Sequence, residues 1–537
     1  MQTGADILLE ILKEAGVHTV FGIPSIHNLG FYEALRKDGS VRHILCRHET
    51  TATHMADGYA RESGTPGVVI TSTGPGAGYA VPALQEAYGS SAPVLMITTN
   101  IAASKIGKGV GTLHEVKEQD GIFKNITKAV FIVRAEEDIE NLTREALNTL
   151  QLGRPGPVYL EVPTDLMNRE IGAKRDLGTN KTVPQTDLPD LKEAITLIKN
   201  AERPLLVVGT AAVRACMAEE VVSLAETLAA PVIFTPSARG LIPDKHPLAL
   251  GNSARSGTIR ETASSSDLAL AIGTRLREVD TKRRGLVLPH LIHVDWDNEW
   301  TDRNFPSNIS LSGEMPGIVR AMIKALESPL DRERRLQRVH EISLKIQGEE
   351  AEIHRNHREM AYLKVIRDVL PEESTLVADN TQLGYWSEYF YPCHVPGGWM
   401  GAKGSAIIGF SFAAAIGAKI ASPEKPIIAL IGDGGFLYST QELATCLKHG
   451  IGFPVIVVNS KSFGIIAYLQ KTFHKYEYES RLMNPDFVAL ANAYGITGRR
   501  VASPDGLGQA LDEALSSGKM RIIELLEDFP EPPFGKY

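Results

Sequence analysis

The chain has 537 residues, 43% of them hydrophobic and 22% charged, with a formal net charge of −8 at pH 7. This length suits about three domains, and a negative charge without a basic stripe argues against nucleic acid as a partner. No apolar run approaches the ~20 residues of a membrane span. Residues 1–16 are predicted to form a helix, not a signal peptide. The scattered cysteines favour a cytoplasmic location over a disulfide framework or structural zinc.

Strand-like apolar runs alternate with helical patterns along the chain, which predicts an α/β fold of three doubly wound, parallel-sheet domains. The first domain is placed at residues 1–175, with strands that include 19–22, 68–72, 94–98 and 157–162. A polar stretch with a proline, residues 169–190, is interpreted as a linker.

The second domain is placed at residues 185–335, with strands that include 203–209, 231–234 and 267–272. The charged segment 331–357 predicts a solvated connecting helix. The third domain is placed at residues 358–537, with strands that include 375–378, 426–431 and 453–458. The first and third domains have similar patterns.

Glu49 stands directly before an alanine-rich amphipathic helix, and the next strand ends in a glycine turn that contains Gly74. An arbitrary glutamate at this place is an exposed carboxylate, favoured at a helix start by the helix dipole.

Two oxygen-rich turns follow successive strands of the third domain. The first turn consists of Gly432, Asp433, Gly434 and Gly435. The second turn contains Asn459, Ser460, Ser462 and Phe463. Both are expected at the carboxyl edge of one sheet, where open α/β folds bind ligands. A carboxylate beside free backbone N–H groups predicts Mg²⁺ bound to a phosphate.

These two turns resemble the GDG…N signature of thiamine-diphosphate (ThDP) enzymes, and the Glu49 segment resembles the pyrimidine-binding domain of their acetolactate synthase and benzoylformate decarboxylase branch. The resemblance covers nearly all of the chain. It implies a pyrimidine-binding, a central nucleotide-fold-like and a diphosphate-binding domain, with ThDP and Mg²⁺ as cofactors. The implied reaction makes or breaks a carbon–carbon bond next to a carbonyl, above all by decarboxylating a 2-oxo acid and ligating the product to a second carbonyl.

The resemblance also assigns roles to residues. Glu49 would hydrogen-bond the aminopyrimidine and so activate the cofactor, and Ile408 would bend it. Further cofactor contacts would come from Gly74, Gln382, Ala406, Gly432, Asp433, Gly434, Gly435 and Phe463. The metal ligands would be Asp433, the carbonyl of Ser462 and either Asn459 or Ser460. Ser460 falls where the family has asparagine or aspartate, so this choice stays open.

Other positions depart from the family. Ile26 replaces the usual proton donor of the simple decarboxylases, so His27, His114 and Glu115 are the candidates for moving protons at the substrate. Leu469 stands where the branched-chain biosynthetic synthases have a tryptophan. Two alternatives remain: a non-decarboxylating lyase or hydrolase of a diketone or hydroxyketone, and a catalytically idle regulatory subunit.

In acetohydroxyacid synthases the central domain carries FAD. Residues 276–280 differ from the family's phenylalanine–aspartate–aspartate–arginine, so a structural central domain is predicted, with FAD as the alternative. Because the family builds its site across a subunit interface, the resemblance implies at least a homodimer, and further a homotetramer.

Overall fold

The computed structural model describes residues 2–171, 188–252, 255–281, 285–326 and 331–533. The chain forms two compact units. The N-terminal unit comprises residues 1–184, 402–424 and 435–453, and the C-terminal unit comprises residues 185–401, 425–434 and 454–537. Each unit combines three separate chain segments, so the two units do not test the predicted boundaries of the three domains, which stay predictions. Within the described ranges, no helix is both long and apolar enough to cross a membrane.

The first part of the chain alternates strands and helices. In chain order they are β1 (Gln2–Thr3), α1 (Gly4–Glu14), β2 (Thr19–Gly22), α2 (Leu29–Asp38), β3 (Arg42–Leu45), α3 (Glu49–Ser63), β4 (Gly67–Thr71), α4 (Pro75–Tyr79), α5 (Val81–Gly89), β5 (Val94–Asn100), α6 (Gln119–Phe123), β6 (Ala129–Ile132), α7 (Asp138–Gln151), β7 (Val158–Pro163), α8 (Thr164–Asn168) and β8 (Glu170–Ile171).

Six of these strands form a parallel sheet in the order β3-β2-β4-β5-β7-β6. Strands β4 and β5 are buried along their whole length, which is why they stand out in the sequence as continuous apolar runs. The short strands β1 and β8 pair antiparallel. Strand β8 lies inside the predicted linker, of which residues 172–187 are outside the described ranges.

The middle of the chain contains α9 (Lys192–Asn200), β9 (Pro204–Val208), α10 (Thr210–Arg214), α11 (Ala218–Leu228), β10 (Val232–Phe234), β11 (Ala249–Asn252), α12 (Gly257–Ser264), β12 (Leu268–Ile272), β13 (Leu291–Asp295), β14 (Ile309–Ser312), α13 (Met315–Ala325) and α14 (Arg332–Asn356). Their parallel sheet has the order β11-β10-β9-β12-β13-β14. Numbered along this sheet, the order is 3-2-1-4-5-6, that of nucleotide-binding folds. Helix α14 confirms the predicted charged connector.

The last part contains α15 (Glu359–Val369), β15 (Thr375–Ala378), α16 (Gln382–Phe390), β16 (Trp399–Gly401), α17 (Phe410–Ala421), β17 (Ile427–Gly432), α18 (Asp433–Phe436), α19 (Leu443–His449), β18 (Pro454–Val458), α20 (Gly464–Leu469), α21 (Phe487–Ala493), β19 (Thr497–Val501), α22 (Pro504–Ser517) and β20 (Arg521–Leu525). The sheet order is β16-β15-β17-β18-β20-β19, all parallel. The first and last sheets thus share one topology, 2-1-3-4-6-5, and the prediction of three parallel-sheet α/β domains is confirmed.

Helix α17 belongs to the N-terminal unit and packs directly on α3. A Cβ atom at Gly58 would lie 2.0 Å from the backbone oxygen of Ala414, and one at Gly417 would lie 1.9 Å from that of Met55. The small residues of both helices therefore let the two backbones touch, which fixes α3 and its first residue in place.

Candidate active site

Glu49 is the first residue of α3, which begins four residues after the last residue of β3. His48 caps this helix, because its Nδ1 accepts a hydrogen bond from the backbone N–H of Thr50 at 3.2 Å. The Glu49 side chain is half-buried, and this burial raises the pKa of its carboxyl group. A Cβ atom at Gly76 would lie 3.3 Å from Oε1 of Glu49, so the glycine turn after β4 lies beside the carboxyl group.

His27 follows β2 and lies against His114, with ring centroids 4.9 Å apart. Oγ of Ser72 is 3.4 Å from Nδ1 of His27. Burial lowers the pKa of His27, and the neighbouring His114 lowers it further, so the His27 ring is neutral at pH 7. Nδ1 of His114 is buried and has no hydrogen-bond partner among the described residues. The structure therefore brings the two predicted histidines together.

Gly74 fixes the backbone next to His114. Its φ is +61°, and a Cβ atom here would lie 2.6 Å from the backbone oxygen of His114, so glycine meets both demands. The N–H of Gly74 donates to Oε1 of Gln119 at 2.7 Å. Gln119 thus holds this turn, although no sequence pattern indicated a functional role for it.

Gln119 belongs to a buried polar network. Its Nε2 donates to Oε2 of Glu161 and to the hydroxyl oxygen of Tyr159, both at 3.0 Å, and the Tyr159 hydroxyl donates to Oε2 of Glu161 at 2.6 Å. Thr73 donates to Oε1 of Gln119 at 2.8 Å, and Asn100 donates to Oε1 of Glu161 at 2.7 Å. Buried networks with satisfied partners are rigid. In the sequence, this network is indicated only by Glu161, a glutamate inside the otherwise apolar strand β7.

Glu115 turns towards its own loop. Its Oε2 accepts a hydrogen bond from the backbone N–H of Thr112 at 2.9 Å. This bond, with further backbone donors from Gly111, Gly109 and Val110, holds the pKa of Glu115 below its usual value. Through these hydrogen bonds, Glu115 stabilises the loop that carries His114.

Glu86 anchors the segment that leads into α17. The backbone N–H groups of Gly404 and Ser405 donate to its carboxylate at 2.8 and 2.7 Å, and Arg61 approaches it at 3.3 Å. Burial opposes ionisation of Glu86, but Arg61 and these donors hold its pKa below the usual value. The segment is therefore fixed by a buried anion.

Ala406 and Ile408 follow this anchor within the N-terminal unit. Ala406 has φ +58°, a left-handed conformation that costs a non-glycine residue about 1–3 kcal/mol. Ile408 is half-buried. At Gly409, with φ +83°, a Cβ atom would lie 2.6 Å from Cβ of Tyr438 and 3.2 Å from the backbone oxygen of Gly435. Backbone strain of this kind clusters at ligand sites.

Asp433, in the C-terminal unit, begins α18 directly after β17 and is 2% exposed. Oδ1 accepts from the N–H of Gly434 at 2.9 Å, and Oδ2 accepts from Nδ2 of Asn484 at 2.8 Å. Burial raises the pKa of Asp433, and these donors offset only part of the effect. A cation would stabilise the buried carboxylate. Asn484 was missed by the sequence analysis.

Asn459 follows β18, and its amide group has a fixed orientation. Nδ2 donates to Oε1 of Glu524 at 2.7 Å, while Oδ1 accepts from Asn484 at 2.9 Å. Arg500 in turn donates to Oε2 of Glu524 at 2.7 Å. The amide oxygen of Asn459 is thereby directed towards the amide that also contacts Asp433.

Ser460 has a different orientation. Its Oγ donates to the backbone oxygen of Ser462 at 3.2 Å and lies at the same distance from the Ser462 hydroxyl. The ring of Phe463 lies against Gly434, where a Cβ atom would be 2.7 Å from Cε1. The second turn is therefore packed closely on the first.

Gln382 begins α16 after β15, the neighbour of β17 in the sheet. It is 5% exposed, yet neither Oε1 nor Nε2 has a hydrogen-bond partner within the described ranges. Nδ2 of Asn380 is likewise buried and unpartnered there. A Cβ atom at Gly432 would lie 3.2 Å from the Thr381 side chain. Unpartnered buried polar atoms at a strand-end crevice indicate a ligand site.

Three parts of the chain match known domains. Residues 2–122 match the N-terminal TPP binding domain of thiamine pyrophosphate enzymes, residues 191–322 their central domain, and residues 379–525 their C-terminal TPP binding domain. A probable acetolactate synthase large subunit from Methanocaldococcus jannaschii is 32% identical over 99% of this chain and 94% of its own length. The chain belongs to the thiamine pyrophosphate enzyme family.

Other members of this family are similarly related. A probable 2-ketoarginine decarboxylase from Pseudomonas aeruginosa is 33% identical over 97% of this chain and 94% of its own length. The acetolactate synthase large subunit of Haemophilus influenzae is 29% identical over 98% of this chain and 95% of its own length. The predicted family membership is confirmed, and the two matched binding domains support ThDP, which is thiamine pyrophosphate, as the cofactor.

The described residues fit this cofactor. The unpartnered amide of Gln382 can donate to a diphosphate, and Asp433 offers a carboxylate oxygen to a hard cation. In the N-terminal unit, Glu49 supplies a carboxyl group whose pKa is raised by burial. The roles of individual residues, including Gly432, Gly434 and Gly435, and the presence of Mg²⁺ and FAD stay predictions.

Proposed function

We propose that the chain is a ThDP- and Mg²⁺-dependent enzyme that decarboxylates a 2-oxo acid and ligates the product to a second carbonyl compound. The observation that carries the proposal is Glu49, a half-buried carboxyl group with a raised pKa that begins α3 beside the glycine turn of Gly74 and Gly76. Diphosphate binding alone would not need such a group, so Glu49 also argues against an idle regulatory subunit.

Bound ThDP supplies a carbon nucleophile and an electron sink, and the protein supplies orientation, proton transfer and a dry pocket. In this proposal Glu49 holds a proton at the N1′ atom of the aminopyrimidine. Its raised pKa matches that task, because a general acid–base works best with a pKa nearer to neutral pH. Ile408 and the strained backbone of Ala406 would hold the pyrimidine ring.

Asp433 would bind Mg²⁺ together with the backbone oxygen of Ser462. Of the two candidates for the remaining ligand, Asn459 is favoured over Ser460. Its amide oxygen points towards the Asn484 amide that contacts Asp433, whereas the Ser460 hydroxyl donates to Ser462. Phe463 and Gly434 would keep the two turns in register, and Gln382 would contact the diphosphate.

His27 and His114 would move protons at the substrate. A neutral His27 can accept a proton from the substrate or, through the Ser72 hydroxyl, relay one to it. The unpartnered Nδ1 of His114 offers a second site for the same purpose. Glu115 would act indirectly, by shaping the loop that presents His114.

Decarboxylation is supported by the relative from Pseudomonas aeruginosa, whose name describes a decarboxylase of a 2-oxo acid. Acetolactate synthases among the relatives support carboligation. A second candidate function is cleavage or hydrolysis of a diketone or hydroxyketone without decarboxylation. The paired histidines support it, because a neutral base beside the substrate suits proton abstraction from a hydroxyl group.

A homodimer, and further a homotetramer, would be the working assembly. Four large apolar side chains on the segments that carry His27, Gly74 and His114 are exposed: Ile26 at 65%, Leu29 at 55%, Tyr79 at 54% and Leu113 at 59%. Exposed apolar residues concentrated around a site are typical of surfaces that a partner covers.

The test is carbon dioxide release from a panel of 2-oxo acids, with ThDP and Mg²⁺ supplied and the products identified by mass spectrometry. Release with one or more acids is expected, together with a ligated hydroxyketone product. If no acid releases carbon dioxide while a diketone is cleaved, the second candidate replaces the first. If bound ThDP does not exchange its C2 proton at all, both are wrong.

A further inference from the structure

Asn484 contacts both oxygen-bearing side chains of the candidate metal site. It precedes α21, and its Nδ2 lies 2.8 Å from Oδ2 of Asp433 and 2.9 Å from Oδ1 of Asn459. Two acceptor oxygens thus converge on one nitrogen. The other end of the same amide, Oδ1, is buried and has no hydrogen-bond partner in the described part of the chain.

The asymmetry of this amide has a chemical consequence. A half-turn about the Cβ–Cγ bond of Asn484 exchanges Oδ1 and Nδ2. It breaks the two hydrogen bonds that Nδ2 donates to Asp433 and Asn459, which a cation bound to the three oxygens would replace, and it breaks none at Oδ1. The exchange would place three oxygens around one point, an arrangement that is unfavourable without a cation. Asn459 is not free to make the same exchange, because its Nδ2 donates to Glu524 at 2.7 Å.

We propose that Asn484 is a ligand of the divalent cation and, with Asn459, makes up for the serine at position 460. The inference rests on the proposed function of this site. Mg²⁺ is a hard cation that binds oxygen atoms, and water and phosphate oxygens complete its octahedron, so a few protein ligands suffice. The Ser460 hydroxyl, which donates to Ser462, is then dispensable for cation binding.

The experiment is a titration of the full-length protein, saturated with ThDP, with Mn²⁺ as a paramagnetic probe whose free concentration is read by electron paramagnetic resonance. Asn484→Ala is expected to raise the Kd of Mn²⁺ about tenfold. Asn484→Asp, which keeps an oxygen, is expected to bind Mn²⁺ at least as tightly as the wild type. The matched control is Asn492→Ala, at an exposed asparagine of α21, with an unchanged Kd.

Ser460→Ala distinguishes the two possible ligands, and its Kd is expected to stay within about twofold of the wild type. The inference is overturned if Asn484→Ala binds Mn²⁺ as tightly as the wild type, or if Ser460→Ala loses as much affinity as Asn484→Ala. In both cases the proposed function stands. If the wild-type protein with ThDP binds no Mn²⁺, the proposed function and this inference are both wrong.

Discussion

The first and last sheets of the chain have the same strand order, but the residues at their strand ends suit different chemistry. After β2 the N-terminal unit places a neutral imidazole, His27, and after β3 a carboxyl group with a raised pKa, Glu49. After β17 and β18 the C-terminal unit places Asp433 among amide groups. One topology therefore creates two crevices, and the turn residues decide whether a crevice suits proton transfer or a cation with a phosphate.

The two units also fix their turns differently. In the N-terminal unit, the turn at Gly74 depends on a close backbone approach to His114 and on the buried amide of Gln119. In the C-terminal unit, the amide groups of Asn459 and Asn484 connect Asp433 to the ion pair of Glu524 and Arg500. Changes at the first turn should therefore lower stability, whereas changes at the second should lower ligand affinity.

Removing the Asp433 carboxylate should have the largest effect on cofactor affinity. In Asp433→Ala the affinity for ThDP in the presence of Mg²⁺ is expected to fall about 100-fold, because the bridge between protein and diphosphate is lost. Isothermal titration calorimetry measures it. The matched control is Asp512→Ala, at an exposed position of α22, with affinity within about twofold of the wild type. If Asp433→Ala bound ThDP with the affinity of the wild type, Asp433 would not be a ligand of the cation.

Adding one methyl group to the first turn should destabilise the N-terminal unit. Gly74→Ala combines a positive φ with a Cβ atom 2.6 Å from the backbone oxygen of His114, and should cost about 3 kcal/mol. Gly78→Ala, in helix α4 with open space around the new Cβ, should gain about 0.5–1 kcal/mol. Urea denaturation followed by circular dichroism compares the two. Similar midpoints for both variants would refute the close packing at this turn.

Acid should destabilise the N-terminal unit through His54, on the face of α3 that packs against Phe410. Burial lowers the pKa of His54 to about 4, from an unfolded value of 6.5. The unfolded chain therefore binds the proton more strongly. The stability that the neutral ring contributes is present above pH 6.5 and is lost as the pH falls towards 4. The expected loss at pH 5 is about 2 kcal/mol.

The measurement is urea denaturation at pH 7.5 and pH 5.0 for the wild type and for His54→Gln, whose side chain does not titrate. The variant should show the smaller change between the two pH values. An equal change in both proteins would assign the acid sensitivity to other groups.

Much of the fold could be predicted because strands of parallel sheets are buried on both faces and appear as apolar runs. Strand β2 was predicted at its observed bounds, and β17 within one residue at each end. Asp433 could be predicted because it follows such a run directly, whereas Glu49 was identified by the helix that follows it and by the family resemblance. Local pattern and a known signature both identified them.

Gln119 and Asn484 could not be predicted in the same way. Asn484 stands 51 residues from Asp433 in sequence, and Gln119 stands 42 residues from Glu161, so their contacts arise only from tertiary packing. The choice between Asn459 and Ser460 likewise depends on Glu524, from a strand near the end of the chain. No local pattern contains that information.

The central claim, that Glu49 activates bound ThDP, is tested most directly with Glu49→Gln. The rate of C2 proton exchange in bound ThDP, measured by NMR after deuterium quench, is predicted to fall about 10²–10⁴-fold. The affinity for ThDP should stay nearly unchanged. Exchange at the wild-type rate in Glu49→Gln would contradict the account.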